Sequence, residues 1–299
     1  MLRLLLSRGA NPNPRFSVPT DSTFDLLRLA AQTGKPGFVS LLIKHGAQVN
    51  AGFPLNGSFG EAKFAKTNIK DHQWRILKIL QQHGLDLTKE HKEEGTALDV
   101  FCKKFVPTAP KAMPIIRYLL KKGVRVSRRT ILEASDRMTE KLLLLLVEAL
   151  VDNHRRRSCP DEETQRDLSF VLIRAAYLGL LPAVKVLVEK YGVSVNCHNE
   201  RRAVSGVQDG DTSLMAVLRS EYPSVEVFEY LLLTAKADRE LMNAQGETVN
   251  AIAWGSFSMA PVEIIRLLHE DEDEGDPRER VRIYRQSGYE NEEPEELFW

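Results

Sequence analysis

Cysteine is scarce in this chain. Cys102, Cys159 and Cys197 are the only three in 299 residues, and they are far apart and odd in number. That usage fits a reducing compartment, cytoplasmic or nuclear, better than a disulfide framework. Long apolar runs are missing too. A membrane-spanning helix needs roughly 20 successive apolar residues, and the run from Leu142 to Val147 stops at Glu148. Neither sign of charge is in excess. Acids and bases number 41 each, so no global field points to nucleic acid or to a membrane, and neither is expected as a partner, although a local patch can still act. Catalytic motifs are lacking as well. There is no G-x-x-x-x-G-K-[ST] phosphate loop and no G-x-S-x-G elbow. Cys197-His198 is the one adjacent Cys/His pair, with no second pair at zinc-ligand spacing. The expectation is a protein without catalytic residues, metal or cofactor, and so not an enzyme.

What the chain does have is a recurring phrase. Leu41-Leu42-Ile43-Lys44-His45-Gly46-Ala47-Gln48-Val49-Asn50 has a near copy in Leu4-Leu5-Leu6-Ser7-Arg8-Gly9-Ala10-Asn11-Pro12-Asn13. Looser versions run from Ile79 to Leu87, Tyr118 to Val126 and Val186 to Asn196. Such self-similarity marks a repeat architecture. Between the phrases lies a second element, best seen at Asp25-Leu26-Leu27-Arg28-Leu29-Ala30-Ala31-Gln32-Thr33-Gly34. Its apolar residues have helical spacing, and Gly34 ends the helix. A second helix follows, closed by Gly46 as a left-handed cap. Each unit is then two short antiparallel helices and a loop, too small to bury its own apolar faces without stacking on neighbours.

Further first helices open at Thr96, Thr130, Phe170, Thr212 and Thr248. Second helices are expected at Trp74 to Gln82, Ile115 to Lys122, Glu140 to Val151, Pro182 to Tyr191, Val225 to Thr234 and Pro261 to His269. Thr96 and Thr130 are 34 residues apart, Thr212 and Thr248 are 36 apart, and the 71 from Asp25 to Thr96 hold a degenerate unit. His45 and His83 precede helix-closing glycines, where a cation suits the helix C-terminus.

A period in the mid-thirties, an Ala-Ala-x-x-Gly helix end and a Leu-Leu-x-x-Gly-Ala-x-x-Asn close resemble ankyrin repeats. The resemblance covers about residues 1–270, strongest at 22–50 and 170–196 and weakest at 55–72 and 127–160. It implies an all-α repeat solenoid with projecting hairpin loops. Residues 1–20 would be a partial first repeat (second helix and loop only), 21–270 an array of about seven units, and 271–299 an acidic, disordered tail. Arg3, Arg8 and Arg15 without any acid in 1–20 also match a mitochondrial presequence, but the near copy of the phrase favours a repeat entered at its second helix. The family opens its first helix with Thr-Pro-Leu-His. Here the Pro place holds Leu26, Ala97, Ile131, Val171, Ser213 and Val249, and the His place holds Arg28, Asp99, Glu133, Ile173, Met215 and Ala251. The inter-unit hydrogen bonds of that His are therefore missing or replaced, and the stack should be less uniform and less stable than a consensus array. Insertions at 51–68 and 197–209 read as lengthened loops, and Pro107 and Pro110 break one link between helices.

The family mode places a protein partner on a concave face of loop tips and first helices. On the loop tips this selects Phe53, Phe59, His91, Lys92, Arg125, Arg201, Arg202 and Gln208. On the first helices it selects Arg28, Gln32, Lys104, Tyr177 and Trp254. Trp74 is expected to pack, whereas for Trp254 packing and concave exposure stand level.

Two charged segments stand apart. From Val100 to Leu132 there is no acid, and the bases include Lys103, Lys121, Lys122, Arg128 and Arg129. This is either a solvated face or a docking site for an acidic partner. Such a partner lies in the same chain: Glu270 to Glu274 and the ending Glu292-Glu293-Pro294-Glu295-Glu296-Leu297-Phe298-Trp299. Arg155-Arg156-Arg157-Ser158 resembles a basophilic kinase site, a short pattern that also arises by chance. The leading reading is a non-catalytic protein-interaction scaffold. The alternative is a fragment or regulatory module of a larger enzyme or receptor.

Overall fold

The computed structural model describes residues 1–17, 23–50, 71–91, 94–104, 112–134, 139–158, 161–200, 206–255 and 260–269. The expectations for 51–68, for Pro107 and Pro110, and for the tail lie outside these residues. The chain divides into two compact units, 1–157 and 158–299.

In the first unit the chain runs α1 Leu2–Ser7, β1 Arg15–Ser17, β2 Thr23–Asp25, α2 Leu26–Gln32 and α3 Pro36–Lys44. It continues through α4 Asp71–Gln82, α5 Ala97–Lys104, α6 Ala112–Lys121, α7 Arg128–Glu133 and α8 Glu140–Arg156. β1 and β2 form an antiparallel hairpin with Phe16 opposite Phe24. The helices stack in two layers. First helix α5 lies on first helix α7, second helix α3 lies on second helix α4, and α2 pairs with α3. Leu27, Leu42, Ile76, Leu77, Leu80, Leu98, Ile116 and Leu119 are buried between the layers. Each such side chain contributes about 1.5–3 kcal/mol.

The recurring phrase does two jobs. Its glycine closes the second helix at φ +90° for Gly46, +85° for Gly84 and +83° for Gly123. The next N–H then returns to the buried leucine carbonyl: Ala47 to Leu42 at 3.0 Å, Leu85 to Leu80 at 3.0 Å and Val124 to Leu119 at 3.1 Å. Its final Asn clamps the following unit. The Asn13 amide donates to the Gly46 carbonyl at 2.9 Å and accepts from the Gln48 N–H at 2.7 Å. Asn50 does the same with Gly84 and Asp86, both at 2.8 Å. Thr88, in the next Asn place, instead turns its hydroxyl onto Asp86 at 2.6 Å.

One junction is bridged by a buried carboxylate, at the place where the resemblance would put a His. Asp99 stands in the His place. One carboxylate oxygen accepts from the Thr96 N–H at 2.8 Å, while the Thr96 hydroxyl caps the Asp99 N–H at 3.2 Å. The other accepts from the Thr130 hydroxyl of the next unit at 2.5 Å. This fixes the frame there: α7 begins at Arg128 under a Ser127 cap, and Thr130 closes the capping box rather than opening the helix. Glu133 is therefore not in the His place. The chain passes straight from Gly123 to the Ser127 cap, so this unit has no room for a hairpin.

The second unit contains α9 Asp161–Tyr177, α10 Leu181–Lys185, α11 Ser213–Leu218, α12 Val225–Glu229, α13 Val249–Trp254 and α14 Val262–His269. α9, α11 and α13 form the first-helix layer, and α10, α12 and α14 the second. α9 starts well before Phe170, because Asp161, Glu162 and Glu163 in its first turn favour the positive end of the helix. α10 and α12 each widen into a π turn, at Val186–Lys190 and Tyr230–Thr234. The cause is one extra residue. Four residues separate Leu187 from Gly192, and four separate Leu231 from Lys236, against three between Leu42 and Gly46. Lys236 then occupies the glycine place at φ +58°. Asn196 repeats the Asn clamp, accepting from the Asp238 N–H at 2.9 Å.

Candidate functional site

Among the described residues, the predicted contact residues fall unevenly between hairpin segments, first helices and a link between helices. In the first unit Arg28 lies in α2 with its N–H on the Asp25 cap, and its guanidinium is 3.6 Å from Glu94. Glu94 sits in the short hairpin that His91 and Gly95 close through a pair of backbone hydrogen bonds, 2.9 and 2.8 Å. Arg28 and His91 thus belong to one patch. Gln32 ends α2, half-buried. Lys104 ends α5. Arg125 is half-buried in the tight link between α6 and α7, away from any hairpin tip. Phe53, Phe59 and Lys92 lie outside the described residues.

In the second unit a buried polar cluster holds two hairpins together. Asp211 is completely buried, as a charged group should be only when fully partnered. It accepts from the Gln208 N–H at 2.8 Å, from Arg219 Nε at 3.3 Å and from Asn243 Nδ2 at 2.9 Å. Arg219 also pairs with Glu247, and Asn243 donates to Glu247 at 2.9 Å. The Asn243 amide bond, followed by the Arg219 guanidinium, holds the Glu247 carboxyl below the usual carboxylate range. Asn199 closes the first hairpin, donating from its N–H to the Asp211 carbonyl at 2.8 Å and from its amide to the Gln208 carbonyl at 3.0 Å. The second hairpin touches the first directly: Ala244 N–H reaches the Asp209 carbonyl at 3.1 Å. Gly210 is required here, since a Cβ would come within 2.5 Å of the Ala244 nitrogen.

Tyr177 and Gln208 flank this cluster. Tyr177 packs its hydroxyl against Gly206, with the Arg174 guanidinium 4.9 Å from its ring centroid. Trp254 ends α13, half-buried. Arg201 and Arg202 lie outside the described residues. The sequence singled out Tyr177 and Gln208 but not Asp211, Arg219, Asn243 or Glu247. The signal was available in a Gly-Asp-Thr and a Gly-Glu-Thr before two helix starts.

Among the described residues no group of three His, Cys, Asp or Glu could hold a metal. His198 is used to close the hairpin, its ring nitrogen 2.7 Å from the Gly210 carbonyl. Burial pushes the Cys102 thiol up, and pushes Cys197 up to about 11, so neither is a ready nucleophile. Trp74 packs edge-on against Tyr118, with ring centroids 4.9 Å apart. No described helix is long and apolar enough to cross a membrane.

No family model and no curated protein matches the chain. Among solved structures, the human ASB11 ankyrin repeat domain is similar at 21% sequence identity, over 84% of this chain and 99% of that one, with a TM-score of 0.49.

Proposed function

We propose that the chain is a non-catalytic protein-interaction module, whose partner is a protein held on hairpin tips and first-helix ends. The supporting observation is the Asp211 cluster. It locks two successive hairpins to each other with a buried carboxylate, and so presents Tyr177 and Gln208 on a rigid support. Preorganised side chains lose little entropy on binding, which favours affinity. A tyrosine backed by an arginine is the kind of anchor that dominates protein interfaces. The patch of Arg28 and His91 would extend the same mode to the first unit.

The test is affinity capture from the source cell with the full chain. Tyr177→Ala combined with Gln208→Ala should weaken the major captured protein by about tenfold or more, while Lys185→Ala on the second-helix side leaves it unchanged. A partner indifferent to substitutions at Tyr177, Gln208, Arg28 and His91 would sink the reading.

A further inference from the structure

The outer layer of the first unit has a property that partner binding on the hairpins does not use. Six places before each phrase glycine stand Arg3, Ser40, Lys78 and Arg117; two places before stand Ser7, Lys44, Gln82 and Lys121. All eight are exposed, and they fall four residues apart on one helix face. None is acidic. Arg8 and Lys122, directly before their glycines, add to the same end of the face. The layer is continuous from α4 to α6, because Trp74 meets Tyr118 and the Tyr118 hydroxyl bonds Gln81. Lysines lie over its rings: Lys78 at 5.1 Å from Trp74, Lys122 at 5.6 Å from Tyr118 and Lys35 at 5.4 Å from Phe38.

At one end this cationic face turns apolar. Met1 is 93% exposed, Leu4 51%, Leu5 49% and Phe38 40%. Between α1 and α3 lies an open groove of about 590 Å³, walled by Met1, Leu2, Phe38 and Leu41, with Arg3 and Lys44 also lining it. The zero net charge of the chain conceals this. Residues 1–157 hold 27 bases and 14 acids, whereas 158–299 hold 14 bases and 27 acids.

We propose that the second-helix layer of α1, α3, α4 and α6 docks on a bilayer surface containing anionic lipid, with the Met1, Leu4 and Phe38 end entering the headgroup boundary. Four helices at packing distance span about 30 Å, wide enough for several headgroups. Cations plus a few exposed apolar side chains are the two signals that peripheral membrane attachment combines. A single-stranded polynucleotide fits less well, since it needs open rings to stack on and the Trp74 and Tyr118 rings are engaged with each other and with lysines. A second copy of the same face would bring like charges together. An acidic helix would fill the groove and leave the cations of α4 and α6 unmatched. The proposal does not rest on the partner-binding reading.

The experiment is co-sedimentation of the full chain with phosphatidylcholine vesicles, with and without about 30 mol% phosphatidylserine. Binding should require phosphatidylserine and weaken as salt rises above about 0.1 M. Removing a surface cation should lower partitioning about fivefold, so Lys78→Ala, Arg117→Ala and Lys121→Ala together should lower it about a hundredfold. Arg166→Ala with Arg266→Ala in the second unit should leave it unchanged. Phe38→Ser should reduce binding without altering its salt dependence, and it decides the matter if the triple variant loses its circular dichroism. Absence of binding, or binding that a folded triple variant retains, overturns the proposal. So does a mixed-sequence oligonucleotide that binds this face more tightly than the vesicles, or sedimentation velocity showing that the face pairs two copies.

Discussion

Two junctions of the first unit are held by exposed neutral amides, and two hairpins of the second are held by a buried ion pair. Asn13 and Asn50 each bridge to the next loop from an exposed position, one donor and one acceptor at a time. Asp211 and Arg219 join their hairpins from the interior, through a carboxylate with no solvent access. The two devices fail differently. Loss of an exposed amide returns its partners to water, whereas loss of the buried carboxylate leaves the Gln208 N–H without its acceptor and Arg219 and Asn243 with Glu247 alone. The helix ends differ in the same sense. The first unit closes them with left-handed glycines. The second absorbs an extra residue as a π turn and in one place forces a lysine into the glycine conformation.

The sharpest way to break the comparison is Asp211→Ala. It removes the buried acceptor of the Gln208 N–H, Arg219 and Asn243 while Arg219 and Asn243 keep Glu247, and should cost about 3 kcal/mol, read as a lowered urea midpoint for tryptophan emission from Trp254 in the second unit. Signals from the first unit, such as Trp74, should move much less. A smaller effect is expected at the amide clamp: Asn50→Ala should cost about 1–2 kcal/mol through two hydrogen bonds, in the same urea experiment followed at Trp74. Thr88→Asn, which restores the clamp residue, should recover part of that amount. Lys236→Gly should stabilise the second unit by about 1 kcal/mol by relieving the left-handed strain, seen as a raised thermal midpoint. The smallest effect is that of pH. The folded Glu247 carboxyl titrates below its ordinary 4.5, so its contribution is present above that value and lost as pH falls through the lower folded value. Glu247→Gln should flatten that part of the stability–pH profile.

The repeat was legible because its signals are local. The Leu, Gly and Asn of each phrase act within one helix end or one loop, and the structure places them where their spacing implied. Thr96, Thr212 and Thr248 were readable as caps for the same reason. Thr130 misled because a cap and a capping-box partner are both threonines, and only the distance from Gly123 to Ser127 tells them apart. The π turns were written in the sequence as one surplus residue before Gly192 and Lys236. The Asp211 cluster was harder to foresee, since Asn199, Asp211, Arg219 and Asn243 converge only once two hairpins are stacked. The opposite charges of the two units escaped notice because their sum is zero.

Hydrogen–deuterium exchange of the full chain, with and without its captured partner, tests the interaction reading most directly. The account predicts new protection at 206–219 and at the ends of α9 and α13, with the second helices α10, α12 and α14 unchanged. Protection confined to those second helices, with 206–219 exchanging as in the free chain, would contradict it.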